Sequence, residues 1–209
     1  MGATDSSQRP WDQPLAHWLM RPLAASAITP NHITAFGMTC GLAAVASYAS
    51  GVAALGHLGG VLFMVAILMD HADGELARLS GKSSRFGHVF DRSVAAANHT
   101  LIFIGIGWGQ GDSWLGNGAA PAGFAAGLAI SLTFYLRAKR EKRIGKSAVE
   151  QPRFAGFEIE DITYLIGPIT WLGGLTGFLL AAGIGAPLFL AYTVIEDLGK
   201  FRGSGTPGH

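Results

Sequence analysis

The chain has 209 residues, of which 49% are hydrophobic and only 14% are charged, and its formal net charge is +1. Soluble domains usually carry about 25% charged residues, so this composition argues against an ordinary soluble domain. Glycine accounts for 30 residues, about twice its ordinary share of ~7%, as is common in helices that pack closely in lipid. The single cysteine, Cys40, excludes an internal disulfide, and the near-neutral charge gives no indication of a nucleic-acid partner.

An amphipathic segment comes first in the chain, at residues 10–26. Its aromatic and apolar residues fall on one side of a helix: Trp11, Leu15, Trp18, Leu19 and Pro22. This pattern predicts a helix that lies in the membrane surface, with its aromatic rings among the lipid headgroups. A disordered polar leader is the alternative. The motif ITPNH follows, and its proline predicts the start of the next helix.

Six apolar stretches come next, each close to the roughly 20 residues that a membrane-spanning helix needs. They cover residues 32–50, 55–77, 88–108, 117–137, 161–181 and 185–201. We therefore expect an all-α polytopic membrane protein with six transmembrane helices, in which residues 1–209 form a single membrane domain. The interfacial helix precedes the six-helix bundle, which covers about 32–201, and residues 202–209 form a polar tail.

Positive charge is distributed unequally among the segments that join these stretches. The predicted outer loops, SGVAAL, GQGDSWLGNGAA and AAGIGAP, contain no lysine or arginine, whereas the inner segments contain nearly all of these residues. The largest cluster is RAKREKRIGK, residues 137–146, which we interpret as an anchor at the inner surface. Because loops rich in lysine and arginine stay in the cytoplasm, we expect an inner (cytoplasmic) membrane location with both termini facing the cytoplasm.

Three aspartates interrupt the apolar pattern where the second stretch ends and the third begins. Asp70 and Asp73 share one face of the second predicted helix, and Asp91 lies on the third. At 1.5 Å of rise per residue, Asp73 and Asp91 are each about 7.5 Å from the inner end of their helix. The short link LSGKSSR favours antiparallel neighbours, so the three carboxylates are expected to converge on one pocket near the cytoplasmic boundary.

Carboxylates at this depth are costly and usually serve a function. Their mutual repulsion opposes ionisation unless a cation neutralises them, and oxygen-only ligands suit Mg²⁺ or Mn²⁺. Arg78 and Lys82 beside them would suit a pyrophosphate-bearing substrate, while Gly74 and Ala77 leave room for a flat nucleotide. A proton or ion pathway, or acids that simply face water, are the alternatives.

The spacing of these residues resembles the motif of the CDP-alcohol phosphotransferase (CDP-alcohol phosphatidyltransferase) family, integral membrane enzymes of phospholipid head-group synthesis. The matching pattern is Asp70-x2-Asp73-Gly74-x2-Ala77-Arg78-x8-Gly87-x3-Asp91-x3, and only its last position departs from the family. The resemblance implies a homodimer, two divalent cations held by the aspartates, and displacement of CMP when an alcohol attacks the donor phosphorus. We place the CDP-linked donor around the following residues: Asp70, Gly74, Ala77, Arg78, Lys82 and Gly87.

The last position of the motif is an aspartate in the family, where it is implied to help bind metal and to take the proton from the attacking alcohol. Here it is Ala95, which can do neither. Three explanations stay open: a residue altered to trap a substrate, a natural variant whose base lies elsewhere, or a member that binds without catalysis. His88, three residues before Asp91, is the best local substitute for the missing base.

Further charged residues are candidates for substrate contacts with open roles: Arg137, Arg153, Glu158, Glu160 and Asp161. Asp161 is most simply a helix N-cap at the start of the fifth stretch. Arg137 and Arg153 are most simply interfacial residues whose charged ends reach toward water. The sharper interpretation is that these arginines hold an acceptor phosphate and that one of the acids contacts a head group.

Together these patterns predict an enzyme that transfers a phospho-alcohol group from a CDP-linked donor to an alcohol acceptor with release of CMP. One of the two substrates is expected to be a lipid, although the identities of donor and acceptor stay open. A catalytically silent member that binds a CDP-linked ligand or lipid is the main rival interpretation. An ion-coupled transporter is a weaker one, because stretches four to six have no acids in their middles.

Overall fold

The computed structural model describes the backbone of residues 12–144 and 159–203, and the side chains of residues 12–140 and 162–196. The α-helices in these segments are α1 (Gln13–Met20), α2 (Pro30–Ala49), α3 (Ala53–Ser80), α4 (Arg85–Gly109), α5 (Ala119–Ile144), α6 (Ile166–Trp171) and α7 (Leu175–Gly203). Short 3-10 helices occupy Arg21–Leu23, Gly116–Gly118 and Ile159–Leu165, and the described segments contain no strand. The predicted all-α class is confirmed.

The first four predicted spans correspond to the single helices α2 to α5, and Pro30 begins α2 as the motif ITPNH predicts. Within the described residues, three helical segments are long and apolar enough to cross a membrane by length and composition. These segments are Ala53–Ser80, Gly116–Arg140 and Leu175–Glu196. The chain is accordingly an integral membrane protein, but the predicted count of six spans is not confirmed.

The predicted boundaries of the fifth and sixth spans, 161–181 and 185–201, are wrong. Helix α6 is only six residues long, the chain turns at Gly173 with φ of 74°, and α7 then continues through Pro187. The segment AAGIGAP, predicted as an outer loop, therefore lies inside α7. Membrane helices tolerate glycine and proline when neighbouring groups satisfy the backbone hydrogen bonds that these residues disturb. In this segment the two residues therefore suggest a turn that does not form. The left-handed φ at Gly173, which favours glycine, marks the true turn.

Helix α1 packs against the C-terminal part of α3 and is shorter than the predicted segment 10–26. It buries Ala16 and Met20 in a small apolar cluster with Ala72 and Leu76 of α3. Trp18 is 71% exposed on the opposite side of α1. One face is thus covered by protein while an aromatic ring stays uncovered, as expected for a helix in the membrane surface. The interfacial position itself stays a prediction.

Close helix contacts in the bundle depend on glycine. A Cβ at Gly41 of α2 would come within 2.2 Å of the Asn98 side chain on α4, and one at Gly123 of α5 would come within 2.3 Å of the Phe103 carbonyl oxygen. A Cβ at Gly127 would likewise lie 2.6 Å from the carbonyl oxygen of Thr100. These small residues let α2 and α5 approach α4 closely, and α4 in turn carries one of the motif aspartates toward α3.

Candidate active site

Three motif aspartates gather where α2, α3 and α4 meet. Asp70 of α3 and Asp91 of α4 are close enough for their carboxyl groups to share a hydrogen bond. Asp73, one turn after Asp70, is only 3% exposed and accepts a hydrogen bond of 2.5 Å from the Thr34 hydroxyl of α2. The structure therefore brings Asp70 and Asp91 into contact across two helices and connects Asp73 to a third helix.

The arrangement of these acids bears on the predicted metal site. Although the three aspartates lie near one another, no group of three histidine, cysteine or acidic side chains among the described residues has an arrangement that could hold a metal ion. The Asp73 carboxylate is hydrogen-bonded to Thr34. Nevertheless, two carboxyl groups in contact repel each other unless a proton or a cation lies between them. Their oxygen-only chemistry suits Mg²⁺ or Mn²⁺, so the residues fit such a cation in kind. The site with three aspartate ligands stays a prediction.

The two basic side chains of the predicted donor site have other partners in this structure. Arg78 donates a hydrogen bond of 3.1 Å from Nε to Glu75, and the Lys82 ammonium donates one of 2.6 Å to the Ser26 carbonyl. Glu75 is itself bound by His17 of α1, at 2.8 Å. Among the described contacts of Arg78 and Lys82, none is with the aspartates. Both basic side chains thus lie at the C-terminal end of α3, close to the segment that contains α1 and Ser26.

The small motif residues differ in their surroundings. A Cβ at Gly74 would meet no atom within 4 Å, so this face of α3 is open, and Ala77 one turn later is half-buried. A Cβ at Gly87, by contrast, would lie 2.8 Å from Oδ1 of Asn31 and 3.1 Å from the Ser84 hydroxyl. Gly74 therefore leaves space for a ligand, whereas Gly87 admits the close approach of Asn31 from the start of α2.

Ala95 lies one turn beyond Asp91 on α4 and is half-buried. Its carbonyl oxygen accepts a hydrogen bond of 2.9 Å from Nδ1 of His99, whose Nε2 faces the Thr163 hydroxyl at 3.3 Å. His99 is thus held among protein partners two turns beyond Asp91, about 12 Å along the helix, which is outside hydrogen-bond reach of a group held at Asp91. His88 is exposed and interacts electrostatically with Asp91, so its role as substitute base stays a prediction.

A buried hydrogen-bond network lies beside the aspartates, and the sequence does not predict it. Asp12, at the start of α1, is only 2% exposed, contacts His71 and accepts a hydrogen bond of 2.6 Å from the Tyr164 hydroxyl. Burial alone would raise the pKa of Asp12, but the hydrogen bonds from His71 and Tyr164 outweigh it and hold the pKa below its ordinary value. The only sequence signal was the helical position of Asp12 before α1, which gives no indication of these distant partners.

The remaining candidates are only partly described. Arg153 and Glu158 lie outside the described residues. The backbone of Glu160 and Asp161 lies inside the 3-10 helix that precedes α6, so the predicted N-cap role of Asp161 at the start of a long helix is wrong. Arg137 of α5 lines a cavity between α4, α5 and α7.

Comparison with known proteins places the chain beside one family and several relatives. A family model described as CDP-alcohol phosphatidyltransferase matches residues 27–191, which include every position of the motif. The bifunctional IPC transferase and DIPP synthase of Rubrobacter xylanophilus is 36% identical over 146 residues, which are 67% of this chain and 31% of that protein.

Two further relatives have names that refer to inositol lipids. The phosphatidylinositol phosphate synthase of Mycobacteroides abscessus is 29% identical over 149 residues, 66% of this chain and 62% of that protein. The archaetidylinositol phosphate synthase of Pyrococcus horikoshii is 34% identical over 102 residues, 49% of this chain and 52% of that protein. The matches thus span between about a third and three fifths of the lengths of the three relatives.

A solved structure has the same fold. The crystal structure of Mycobacterium tuberculosis phosphatidylinositol phosphate synthase with CDP-DAG bound superposes with a TM-score of 0.67 and 18% identity. The superposition covers 86% of this chain and 91% of that one. At this identity the likeness establishes the architecture of the helices.

Proposed function

Because the chain belongs to the CDP-alcohol phosphatidyltransferase family, we propose that it transfers a phospho-alcohol group from a CDP-linked lipid donor to an alcohol acceptor, with release of CMP. The observation that carries the proposal is the contact of Asp70 with Asp91 across α3 and α4, within a motif that departs from the family only at Ala95. The names of two relatives, which refer to phosphatidylinositol phosphate and archaetidylinositol phosphate, make inositol phosphate the first acceptor to test.

The reaction forms a bond between the acceptor oxygen and the donor phosphorus, and it breaks the phosphorus–oxygen bond to CMP. Divalent cations, which the family generally requires, would be held by Asp70, Asp73 and Asp91 and would neutralise charge on the phosphoryl oxygens and on departing CMP. The open face of α3 at Gly74 admits the nucleotide. Arg78 uses part of its five-donor guanidinium on Glu75, so further donors can face a donor phosphate.

Residue 95 is an alanine, so no side chain at this position can take the proton from the hydroxyl of the acceptor substrate. His88, exposed and beside Asp91, is the residue that we propose to accept it, with a smaller rate than a positioned aspartate would give. A silent member that binds the donor without transferring it is the second candidate, and Ala95 itself favours that candidate.

Release of CMP distinguishes an active transferase from a silent member that only binds the donor. Purified protein in lipid nanodiscs is given CDP-diacylglycerol with or without inositol phosphate, in Mg²⁺, Mn²⁺ or chelator. We expect CMP only when cation and acceptor are both present, and a fall of about 100-fold or more in Asp91→Asn. The matched control is Asp112→Asn, an exposed loop aspartate, which keeps the parent rate. Tight binding of the donor with no CMP under any condition would establish the silent member instead.

A further inference from the structure

Helix α1 and the residues after it bind α3 at several positions along the C-terminal half of α3. Ala16 and Met20 of α1 pack against Ala72 and Leu76. The polar contacts join Asp12 to His71, Gln13 and His17 to Glu75, and the Ser26 carbonyl to the ammonium of Lys82 in the following link. Glu75 lies between the other two polar contacts along the chain, so its position relative to α1 is fixed on both sides.

Glu75 is the buried acid at the centre of these contacts. Its side chain is only 8% exposed, whereas that of Arg78 is 61% exposed. Oε1 of Glu75 lies 2.8 Å from Nδ1 of His17, and Oε2 accepts a hydrogen bond of 3.4 Å from Nε2 of Gln13. A buried carboxylate needs such partners to stay charged, and here α1 supplies two of them. Glu75 is therefore fixed by α1 and not only by its neighbour on α3.

Arg78 meets this fixed carboxylate with one edge of its guanidinium. Its Nε donates a hydrogen bond of 3.1 Å to Oε2 of Glu75, and one terminal nitrogen contacts the same oxygen. An ion pair three residues apart on an exposed helix surface orders its side chains only weakly. Here one partner is buried and held by another helix, so the pair fixes the direction of the arginine. The N–H groups on the other edges of the guanidinium are not used by Glu75.

Helical geometry places Arg78 between the α1 side of α3 and the open side of α3. At about 100° per residue, Arg78 lies about 60° from Glu75 in one direction and about 40° from Gly74 in the other. A Cβ at Gly74 would meet no atom within 4 Å, so space for a ligand begins beside Arg78. Arg78 therefore stands beside this space, with Glu75 on its other side.

We propose that Glu75 is a positioning residue, through which α1 holds Arg78 in the orientation that receives the diphosphate of the CDP-linked donor. The proposal rests on the proposed function for the identity of the donor. An arginine that is ordered before the donor arrives loses less conformational freedom on binding, so the donor binds more tightly. Helix α1 thus contributes to donor affinity through Glu75, without a contact of its own with the donor.

A double-mutant cycle distinguishes this positioning role from a general effect on the fold. Dissociation constants for CDP-dipalmitoylglycerol are measured in nanodiscs with Mn²⁺ for the parent, Glu75→Gln, Arg78→Ala and the double variant. Glu75→Gln keeps the size of the side chain and removes its charge. We expect it to weaken donor binding by about tenfold in the parent, which is within the usual range for residues that share one network. In the Arg78→Ala background it should change binding by less than about twofold, because no guanidinium is left to position.

A second variant reaches Glu75 from α1. His17→Ala removes one partner of the carboxylate at a half-exposed position, so it should weaken donor binding in the same direction by a smaller factor, and again only when Arg78 is present. The matched control is His57→Ala, which removes an exposed histidine near the opposite end of α3 and should keep the parent dissociation constant. Each protein is first required to elute as a single species with parent helicity. If Glu75→Gln does not meet this requirement, His17→Ala and Arg78→Ala form the cycle.

Equal losses of affinity in the two backgrounds would show a general effect on the fold and would overturn the proposal. Tighter donor binding in Glu75→Gln would show that Glu75 competes with the diphosphate for Arg78, and this also overturns it. Because the readout is binding, failure of the proposed function is seen separately. A parent protein that binds no CDP-linked lipid contradicts the proposed function and this proposal together, whereas additive losses in a protein that binds donor and releases CMP remove the positioning role alone.

Discussion

At the scale of single residues, Ala95 is the departure with the largest expected consequence. It lies one turn from Asp91, where a carboxylate would reach a group held by Asp91 and Asp70. A positioned general base typically contributes between 10²- and 10⁴-fold to a rate. We expect Ala95→Asp to raise the rate of CMP release by at least about 100-fold in the same nanodisc assay.

The matched control for this change is Ala96→Asp, which adds the same acid on the same helix about 100° away. It carries the same cost of a buried charge and cannot reach the site, so its rate should not exceed that of the parent. If Ala95→Asp gives no gain while it folds and binds the donor, the acid at this position is not the missing base.

The acids could be predicted from the sequence, but their partners could not. The spacing of Asp70, Asp73 and Asp91 places them on facing sides of two successive helices, which is local information. The hydroxyl of Thr34 and the side chain of Asp12 reach the same region from segments 39 and 59 residues away from their partners. Such contacts depend on how helices pack, which the period of a single helix does not determine.

At the scale of elements, the docking of α1 depends on a buried acid. Asp12 binds His71 of α3 and Tyr164 of the 3-10 helix, so it connects three segments. Asp12→Asn removes the charge from these hydrogen bonds, which are worth about 1.5 to 3 kcal/mol when one partner is ionised. We expect it to lower the free energy of unfolding by about 2 kcal/mol and to expose α1 to protease in detergent.

The dependence of this docking on pH has a defined sign. Because the pKa of Asp12 is lower in the folded protein, its contribution is present above the ordinary pKa of an aspartate and is lost as the pH falls through the folded value. Asp112→Asn, at an exposed loop, is the control and should leave both stability and proteolysis unchanged. Parent stability in Asp12→Asn would contradict the role of Asp12 in docking α1.

The contact between α4 and α5 requires a glycine on α5. A Cβ at Gly123 would lie 2.3 Å from a backbone oxygen of α4, and a backbone atom cannot rotate away as a side chain can. We expect Gly123→Ala to cost between about 1 and 3 kcal/mol, the usual range for overpacking. At Gly177 of α7 a Cβ would meet nothing within 4 Å, so Gly177→Ala should be neutral or slightly stabilising. Equal thermal stability of the two variants in detergent would contradict this packing.

The elements themselves were predictable where composition and turn signals agree. Helices α2 to α5 are apolar stretches separated by clear breaks, and the sequence places all four. The prediction failed after residue 161, because Gly185 and Pro187 suggested a turn that apolar surroundings allow α7 to avoid. The true turn is at Gly173, where the backbone has a left-handed φ. The sequence of this glycine-rich region does not show which glycine adopts that conformation.

For the whole molecule, the distribution of lysine and arginine predicts a cytoplasmic active site. The only native cysteine, Cys40, is buried, so introduced cysteines report their own side of the membrane. We expect an impermeant maleimide to label Asp112→Cys in intact cells, whereas Ser83→Cys, in the link between α3 and α4, is labelled only after the membrane is opened. The reverse pattern would place the aspartates on the outside.

Acids from α3 and α4 are proposed to hold a divalent cation together, and this can be measured as binding of Mn²⁺. Purified protein in nanodiscs is titrated with Mn²⁺ and the free ion is followed by electron paramagnetic resonance, beside Asp70→Asn, Asp91→Asn and the control Asp112→Asn. We expect saturable binding by the parent and by the control, and its loss in the two motif variants. Absence of saturable binding by folded parent protein, or equal binding by all four proteins, would contradict it.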